Sequence, residues 1–250
     1  MLIDELLTYL FDGQAHPLTQ PMSTWLITSR RFMAFVTANR DKIRKKIRVA
    51  PDPETVLDVR LELETAYILL QERSLSLVYE PQPLGQSRRP DFAVTYTTSL
   101  TFMVEVTRLR TDPTSIPTEA TEQPVVTPPP HIVLGERLAD TVCSKLGQLL
   151  PQRSNVLLVG VETLHLTSAD LRSAMLRLQQ RAERNDAMFW QRYRFRDRAD
   201  FFRHYQRLSE ILVRGPQLPS EEPSVIWVNP QAKQPLPGKV RTALYHSYTV

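Results

Sequence analysis

The chain has 250 residues, which suits one sizeable core with an extension, and its hydrophobic content of 42% is ordinary for a globular protein. Lysine and arginine exceed the acids by 31 to 27, so the net charge of +4 permits a nucleic-acid partner without requiring one. The single cysteine, Cys143, excludes an internal disulfide framework. No apolar run approaches the roughly 18 residues of a membrane span, and the acidic start MLIDELLTYLFDG is unlike a signal peptide. We therefore expect a cytoplasmic protein.

The first part of the chain predicts a helical extension that ends in a basic segment. Apolar residues at helical spacing predict a short helix over residues 1–12 and a longer one over residues 23–47. The segment NRDKIRKKIR places six cations, Lys45 and Lys46 among them, near the end of the second helix. These cations either contact phosphate or form a solvated face that complements the helix dipole.

Residues 52–71 predict the next helix. Asp52 can cap its first turn, and Pro53 suits the first helical position. On a projection of about 100° per residue, Glu62 falls inside the broad apolar arc of this helix, whereas Glu64 falls outside it. A carboxylate on a core-facing arc must be paired, hydrogen-bonded or near a metal. Glu62 is therefore the more informative acid, and an ion pair with a basic neighbour is the simpler of its two interpretations.

A β-hairpin is predicted by RRPDFAVTYTTSLTFMVEVTRLR, which follows a strand in SLSLVYEP. Apolar and polar residues alternate on both arms, as in strands with one buried face. Matching the apolar residues pairs Phe92 with Val106, Val94 with Val104 and Tyr96 with Phe102, around a loop at residues 98–100. In this register Asp91 lies opposite Thr107 and diagonal to Glu105. Diagonal neighbours are roughly 7–8 Å apart, so the two carboxylates can close on one divalent cation.

The hairpin motif resembles that of the PD-(D/E)XK nuclease superfamily, which has the restriction-endonuclease-like fold. Its Pro-Asp and Glu-x-Lys parts match Pro90-Asp91 and Glu105-Val106-Thr107, with threonine at the lysine position. The resemblance covers roughly residues 54–161 and implies an α/β core in the order helix, three strands, helix, strand. It also implies a catalytic site for Mg²⁺ or Mn²⁺ with Asp91 and Glu105 as metal ligands. Glu62 would then ligate the metal or orient a metal-bound water.

The motif's lysine, which helps to hold and activate the attacking water in that superfamily, has a candidate replacement. A helix predicted at residues 133–150 carries Lys145 within its apolar stripe, and KLGQLL resembles the Lys-x-x-Gln pattern of members whose lysine has moved there. Lys145 either takes that catalytic role, or forms an ion pair or extends its ammonium to the surface. Arg108, directly after the motif, is a secondary candidate for phosphate contact. The proline-rich residues 112–131 predict a flexible insertion, either a flap beside the site or plain disorder, and NVLLVGV predicts a buried strand.

The last third of the chain predicts helices at residues 167–184 and 199–213 and a final strand in SVIWVNP. Ten arginines lie within residues 172–207, with Arg194 and Arg196 among them, and aromatic residues lie between them. The arginines either contact phosphates while the rings stack on bases, or they cover the wet face of helices whose aromatic residues form the core.

These patterns predict an α/β protein with a restriction-endonuclease-like core and helical decorations at both ends. Residues 1–50 form the N-terminal extension, and residues 51–250 form the PD-(D/E)XK-like domain. The predicted function is metal-dependent hydrolysis of phosphodiester bonds in DNA or RNA. The alternative is an inactive nuclease-like fold that serves as a DNA-binding or protein-interaction module. We expect a nucleic-acid partner, with DNA favoured and no membrane, and a homodimer is left open. The predicted nucleic-acid contacts are Arg108, Lys45, Lys46, Arg194 and Arg196.

Overall fold

The computed structural model describes residues 2–50, 52–82, 89–110, 130–161, 166–184, 187–215 and 225–247. Within these residues there are ten helices: α1 Ile3–Phe11, α2 Thr19–Thr28, α3 Arg30–Ala38, α4 Arg40–Arg48, α5 Pro53–Leu69, α6 Pro130–Leu146, α7 Ser168–Glu183, α8 Ala187–Tyr193, α9 Arg198–Tyr205 and α10 Gly238–Ser247. The strands are β1 Leu75–Tyr79, β2 Phe92–Tyr96, β3 Leu100–Arg108, β4 Asn155–Gly160, β5 Leu208–Arg214 and β6 Val225–Val228. The predicted α/β class is confirmed. None of the described helices has the length and apolar character needed to cross a membrane.

The chain divides into two compact units, Met1–Thr107 with Leu236–Val250, and Arg108–Pro235. The residues predicted as an N-terminal extension belong to the first unit, together with α5, β1 and β2. The predicted succession of helix, three strands, helix and strand is found along the chain in α5, β1, β2, β3, α6 and β4. The restriction-endonuclease-like core itself stays a prediction. The predicted proline-rich insertion at residues 112–131 lies outside the described residues, apart from the start of α6.

The helix predicted over residues 23–47 is not continuous, which corrects the prediction. The chain breaks at Ser29 and again at Asn39, so that α2, α3 and α4 replace one long helix. Ser29 has an extended backbone, with φ −131° and ψ 107°, and its Oγ accepts a hydrogen bond from the N–H of Phe32 at 3.2 Å. Serine and asparagine favour the position before a helix. The apolar spacing persists through the breaks because each short helix buries its own apolar face.

The hairpin of β2 and β3 forms, but its register differs from the prediction by two residues. The observed pairs are Phe92 with Val104, Val94 with Phe102 and Tyr96 with Leu100. The loop is therefore at residues 97–99, and Thr97 at its start has a φ of 54°. A shift of two residues keeps every side chain on its predicted face, because side chains alternate with a period of two. The shift nevertheless changes which residues lie opposite one another.

Aromatic side chains form much of the core of the first unit. Phe92 on β2 contacts Tyr79 on β1, with ring centroids 5.6 Å apart, and Phe35 on α3, with centroids 6.4 Å apart. Both Phe92 and Tyr79 are at most 2% exposed. Helix α5 packs on β1 and is also contacted by α4 and α10. This packing fixes the end of β1, where the candidate site described below lies.

The second unit contains a mixed arrangement of three strands. Strand β5 is parallel to β4 and antiparallel to β6, and Ile211 pairs with Leu157 on one side and with Trp227 on the other. The helix predicted over residues 199–213 is therefore wrong beyond Tyr205, where α9 ends. Every residue of β5 is buried, and a run that is buried on all sides shows no period that separates strand from helix.

The aromatic residues of the arginine-rich region belong to the core of the second unit. Trp190, Phe195, Phe201 and Tyr205 are each at most 8% exposed and lie in one hydrophobic cluster. Rings in this position are not available for stacking on bases. The core interpretation is therefore confirmed for these four residues.

Candidate active site in the first unit

A buried ion pair joins helices α4 and α5. Glu62 on α5 is only 7% exposed. The Nζ atom of Lys46, on α4, donates to its Oε1 at 2.6 Å and to its Oε2 at 2.7 Å. The same ammonium lies 3.2 Å from Oε1 of Glu80, which directly follows β1. Lys46 therefore holds together one acid from a helix and one from the end of a strand.

Helix α5 presents Glu62 to the interior as the sequence predicts. Its first turn is capped by Asp52, whose Oδ1 accepts from the N–H of Thr55 at 2.9 Å, and Pro53 is the first helical residue. Glu64 is buried as well, at 4% exposed, which corrects its predicted place outside the buried arc. The prediction took the apolar residues alone as the buried arc, but the second half of α5 is buried around most of its circumference.

Tyr79 is a further neighbour of Glu62 and Lys46. Its hydroxyl interacts with the Glu62 carboxylate, and the Nζ atom of Lys46 lies 5.3 Å from the centroid of its ring. Burial raises the pKa of the Tyr79 hydroxyl, and the negative charge of Glu62 raises it further. Tyr79 therefore stays protonated and acts as a hydrogen-bond donor.

The electrostatic environment makes Glu62 an unusual carboxyl group. Burial raises its pKa from the ordinary value of 4.5 to about 7, and the negative charge of Asp91 adds to the rise. The Lys46 ammonium and the hydrogen bond from Tyr79 act in the opposite direction. Burial also disfavours the ammonium of Lys46, but Glu62, Asp91 and Glu80 outweigh it, so the pKa of Lys46 is raised. Glu62 therefore changes its protonation near neutral pH beside a lysine that stays charged.

Asp91 is held at the start of the hairpin by the backbone on both sides. Its Oδ2 accepts from the N–H of Val106 at 2.7 Å, and its carbonyl oxygen accepts from the N–H of Glu80 at 2.8 Å. One step beyond the paired residues, the observed register sets Asp91 opposite Glu105, which is 7% exposed. Directly opposite residues are closer than diagonal ones. The corrected register therefore brings the two motif acids nearer to each other than the predicted one.

These acids do not form a metal centre as they are arranged here. Within the described ranges, the His, Cys, Asp and Glu side chains make no group of three or more that could hold a metal ion. Carboxylate oxygens are the right donors for Mg²⁺ or Mn²⁺, but Lys46 takes both oxygens of Glu62, and the N–H of Val106 takes Oδ2 of Asp91. The carboxylate oxygens are suitable ligands for a hard cation, but the arrangement of these acids is not suitable for binding one. The cation that Glu62 holds is the lysine ammonium.

Three of the predicted phosphate-binding side chains in the basic regions are exposed. Lys45 is exposed on α4, next to the paired Lys46. Arg194 is exposed after α8, with a φ of 60°. Arg196 is exposed too, but its Nη2 lies 3.4 Å from Oδ1 of Asp200. The structure therefore divides the predicted contacts into cations that face solvent and cations that already have an acidic partner.

The other two predicted cations, Lys145 and Arg108, belong to the second unit. Lys145 is half-buried near the end of α6, and its Nζ lies 3.5 Å from Oε1 of Gln148. Arg108 is the last residue of β3. Glu62, Asp91 and Glu105 all belong to the first unit, as does Lys46.

Sequence reasoning missed the part that Lys46, Tyr79 and Glu80 take in this cluster. Lys46 was predicted as a phosphate contact within a basic run, with no link to Glu62. Tyr79 and Glu80 were predicted only as the end of a strand. A usable signal was present, because polar side chains that end one strand and acids that begin the next commonly meet at the same edge of a hairpin.

We found no matching protein-family model, no matching curated protein and no matching solved structure for this chain. The candidate function therefore rests on the geometry of the cluster and on the resemblance of the hairpin motif.

Proposed function

We propose that this chain is a nuclease-like protein that hydrolyses phosphodiester bonds of DNA or RNA at the cluster of Glu62, Asp91 and Lys46. The observation that supports this proposal most is the burial of the Glu62 carboxylate against the Lys46 ammonium, at 2.6 and 2.7 Å, where burial raises the pKa of Glu62 to about 7. A carboxyl group with this pKa accepts and returns a proton near neutral pH, as activation of a water molecule requires. Strongly perturbed groups of this kind concentrate at functional sites.

In this proposal each side chain has a separate task. Glu62 takes a proton from the attacking water as the water oxygen bonds to phosphorus. The bond from phosphorus to the leaving oxygen breaks, and Glu62 returns the proton to that oxygen. Lys46, whose side chain is 29% exposed, faces the negative charge that develops on the phosphate. Tyr79 positions Glu62. Asp91, opposite Glu105, keeps Glu62 basic through its negative charge. Lys46 thus takes the task that the sequence suggested for Lys145.

Cleavage of a substrate panel tests this function. The wild-type chain is incubated with single-stranded, duplex and branched DNA and with RNA, in Mg²⁺, in Mn²⁺ and in a chelator. We expect cleavage of at least one substrate and a loss of about 10²-fold or more in Glu62→Gln, because the proton acceptor is removed. Glu54→Gln on the same helix is the matched control. Loss of activity in the chelator supports the predicted need for Mg²⁺ or Mn²⁺. Wild-type protein that cleaves no substrate in any buffer removes the proposed activity.

The second candidate function is a nuclease-like fold that binds nucleic acid or another protein without cleaving it. Two observations favour it. Thr107 stands where the motif has lysine, and the described acids form no group of three around a metal position. In this case the ion pair of Lys46 and Glu62 stabilises the fold, and the exposed cations bind the partner.

Salt dependence tests that second function. Lys45→Glu and Arg194→Glu should each flatten the plot of log affinity against log salt by about one unit, because each lost phosphate contact releases fewer counterions. Fluorescence anisotropy with labelled DNA gives the slopes. Lys233→Glu, at another exposed lysine, is the control with the same charge change. If all three variants have the wild-type slope, Lys45 and Arg194 do not contact phosphate.

A further inference from the structure

A groove in the second unit lies between helices α6 and α7. Its floor is apolar and includes Ala174 and Leu178, and its rim carries Arg177, Arg181 and Arg184. Glu136 is the single acid of the lining. Three guanidinium groups against one carboxylate leave the groove strongly positive. This groove shares no residue with the acidic cluster of the first unit.

Arg177 and Arg181 lie on one face of α7, and Arg184 is the residue that caps its C-terminal end. Their spacing of four and then three residues is that of successive helical turns, so they form a row about 10 Å long at 1.5 Å per residue. Arg177 packs next to α6, since a β-carbon built at Gly135 would lie in ordinary van der Waals contact with its Nη2 atom, at 3.5 Å. The packing of the two helices therefore places Arg177 against the wall of the groove.

The charges of this row are poorly neutralised by the described part of the chain. Neither Arg177 nor Arg184 has an ion-pair partner among the described residues, and the Nε atom of Arg177 is shielded from solvent without a hydrogen-bond acceptor there. Arg181 lies 3.7 Å from Asp140, but Arg192 holds the same carboxylate more closely, at 2.9 Å. Two guanidinium groups of the row therefore have no acidic partner in the described part of the chain, and a bound anion supplies one.

We propose that this groove binds an anion with two or more phosphate groups. The planar guanidinium fork matches phosphate oxygens in pairs, and a row of about 10 Å is longer than a single phosphate needs. Glu136 in the lining offers an acceptor for a hydroxyl or amino group. A free nucleotide and a nucleic-acid strand share this chemistry. The inference goes beyond the proposed nuclease function and stands without it.

Binding measurements on the full chain test the groove. The probes are inorganic pyrophosphate and ATP, measured by calorimetry, and a labelled oligothymidylate of about 12 nucleotides, measured by anisotropy. The double variant Arg177→Gln with Arg184→Gln should weaken binding by about tenfold or more, because two charge-assisted contacts are lost. A control with the same charge change combines Arg172→Gln with Arg153→Gln, both at exposed positions outside the groove. The control should change the affinity by less than about twofold.

The probes also identify the source of the phosphate groups. Tighter binding of ATP than of the oligonucleotide supports a free nucleotide, and the reverse order supports a nucleic-acid strand. If ATP, pyrophosphate and the oligonucleotide all fail to bind, the proposal is wrong. Equal weakening by the groove variant and by the control also overturns it, because binding would then follow net charge alone. Neither overturning result bears on cleavage at Glu62, which is measured separately.

Discussion

Replacement of Lys46 by methionine is expected to lower the cleavage rate by about 10²-fold or more. Methionine keeps an unbranched apolar side chain but has no charge, so the developing charge on the phosphate loses a positioned cation. The pKa of Glu62 should rise further, because the lysine that lowers it is gone. Initial rates at saturating substrate measure the loss, and circular dichroism checks that the variant is folded. Lys46→Arg should keep more of the rate than Lys46→Met, since it keeps the charge.

Three further variants separate this role from the alternatives. Lys45→Met removes the neighbouring exposed charge and should leave the rate nearly unchanged. Thr107→Lys, on the same strand face as Glu105, should restore part of the rate in the Lys46→Met background. Lys145→Met tests the assignment that the sequence suggested. If Lys145→Met abolishes cleavage while Lys46→Met cleaves at the wild-type rate, Lys145 is the catalytic lysine and the role given to Lys46 is wrong.

Local patterns were sufficient to find the acids of the candidate site. The apolar spacing of α5 places Glu62 on a buried arc, and Glu62 is buried. The cap at Asp52 and the alternation of the hairpin also follow from neighbouring residues, and both are found in the structure. Each of these features depends on side chains less than about two turns or one strand apart, where physical preferences are strong.

The register of the hairpin could not be predicted from alternation. A shift by two residues preserves both faces of the hairpin, so the apolar pattern fits either pairing equally well. The loop sets the register, and Thr97 in this loop has a positive φ that is unfavourable for threonine. The register matters for the site, because it places Asp91 opposite Glu105 instead of Thr107.

The partners of Glu62 could not be predicted from the sequence, for a different reason. Lys46 lies 16 residues from Glu62 in the sequence and in another helix, and nothing local distinguishes it from Lys45, which is exposed. Only the packing of α4 on α5 selects one of the two neighbours. The same limit explains β5, where pairing with β4 and β6 decides between helix and strand. Non-local packing thus determines which charge of a basic run becomes part of a site.

The ion pair also predicts a large effect on stability. Lys46→Met should lower the free energy of unfolding by about 1–2 kcal/mol near pH 8, because Glu62 without its ammonium must take up a proton to stay buried, and that protonation is unfavourable at this pH. The loss should be smaller near pH 5.5, where Glu62 takes up a proton. The folded-state pKa of Glu62, about 7, lies above its ordinary value of 4.5, so its contribution to stability is greatest below about pH 4.5 and is lost as the pH rises through 7. In Lys46→Met, the pH range over which ionisation of Glu62 lowers the stability should extend above pH 7.

Urea unfolding of four proteins between about pH 5 and pH 9 measures this coupling. The double variant Lys46→Met with Glu62→Gln should recover most of the loss near pH 8, because neither member of the pair is then left charged and alone. Glu62→Gln alone should remove the fall in stability that Glu62 causes between about pH 4.5 and 7. Lys45→Met controls for the change in net charge and should match the wild type to within about 0.5 kcal/mol. A loss in Lys46→Met that is the same at both ends of the pH range, and that Glu62→Gln does not reduce, would show that Lys46 stabilises the fold through packing alone.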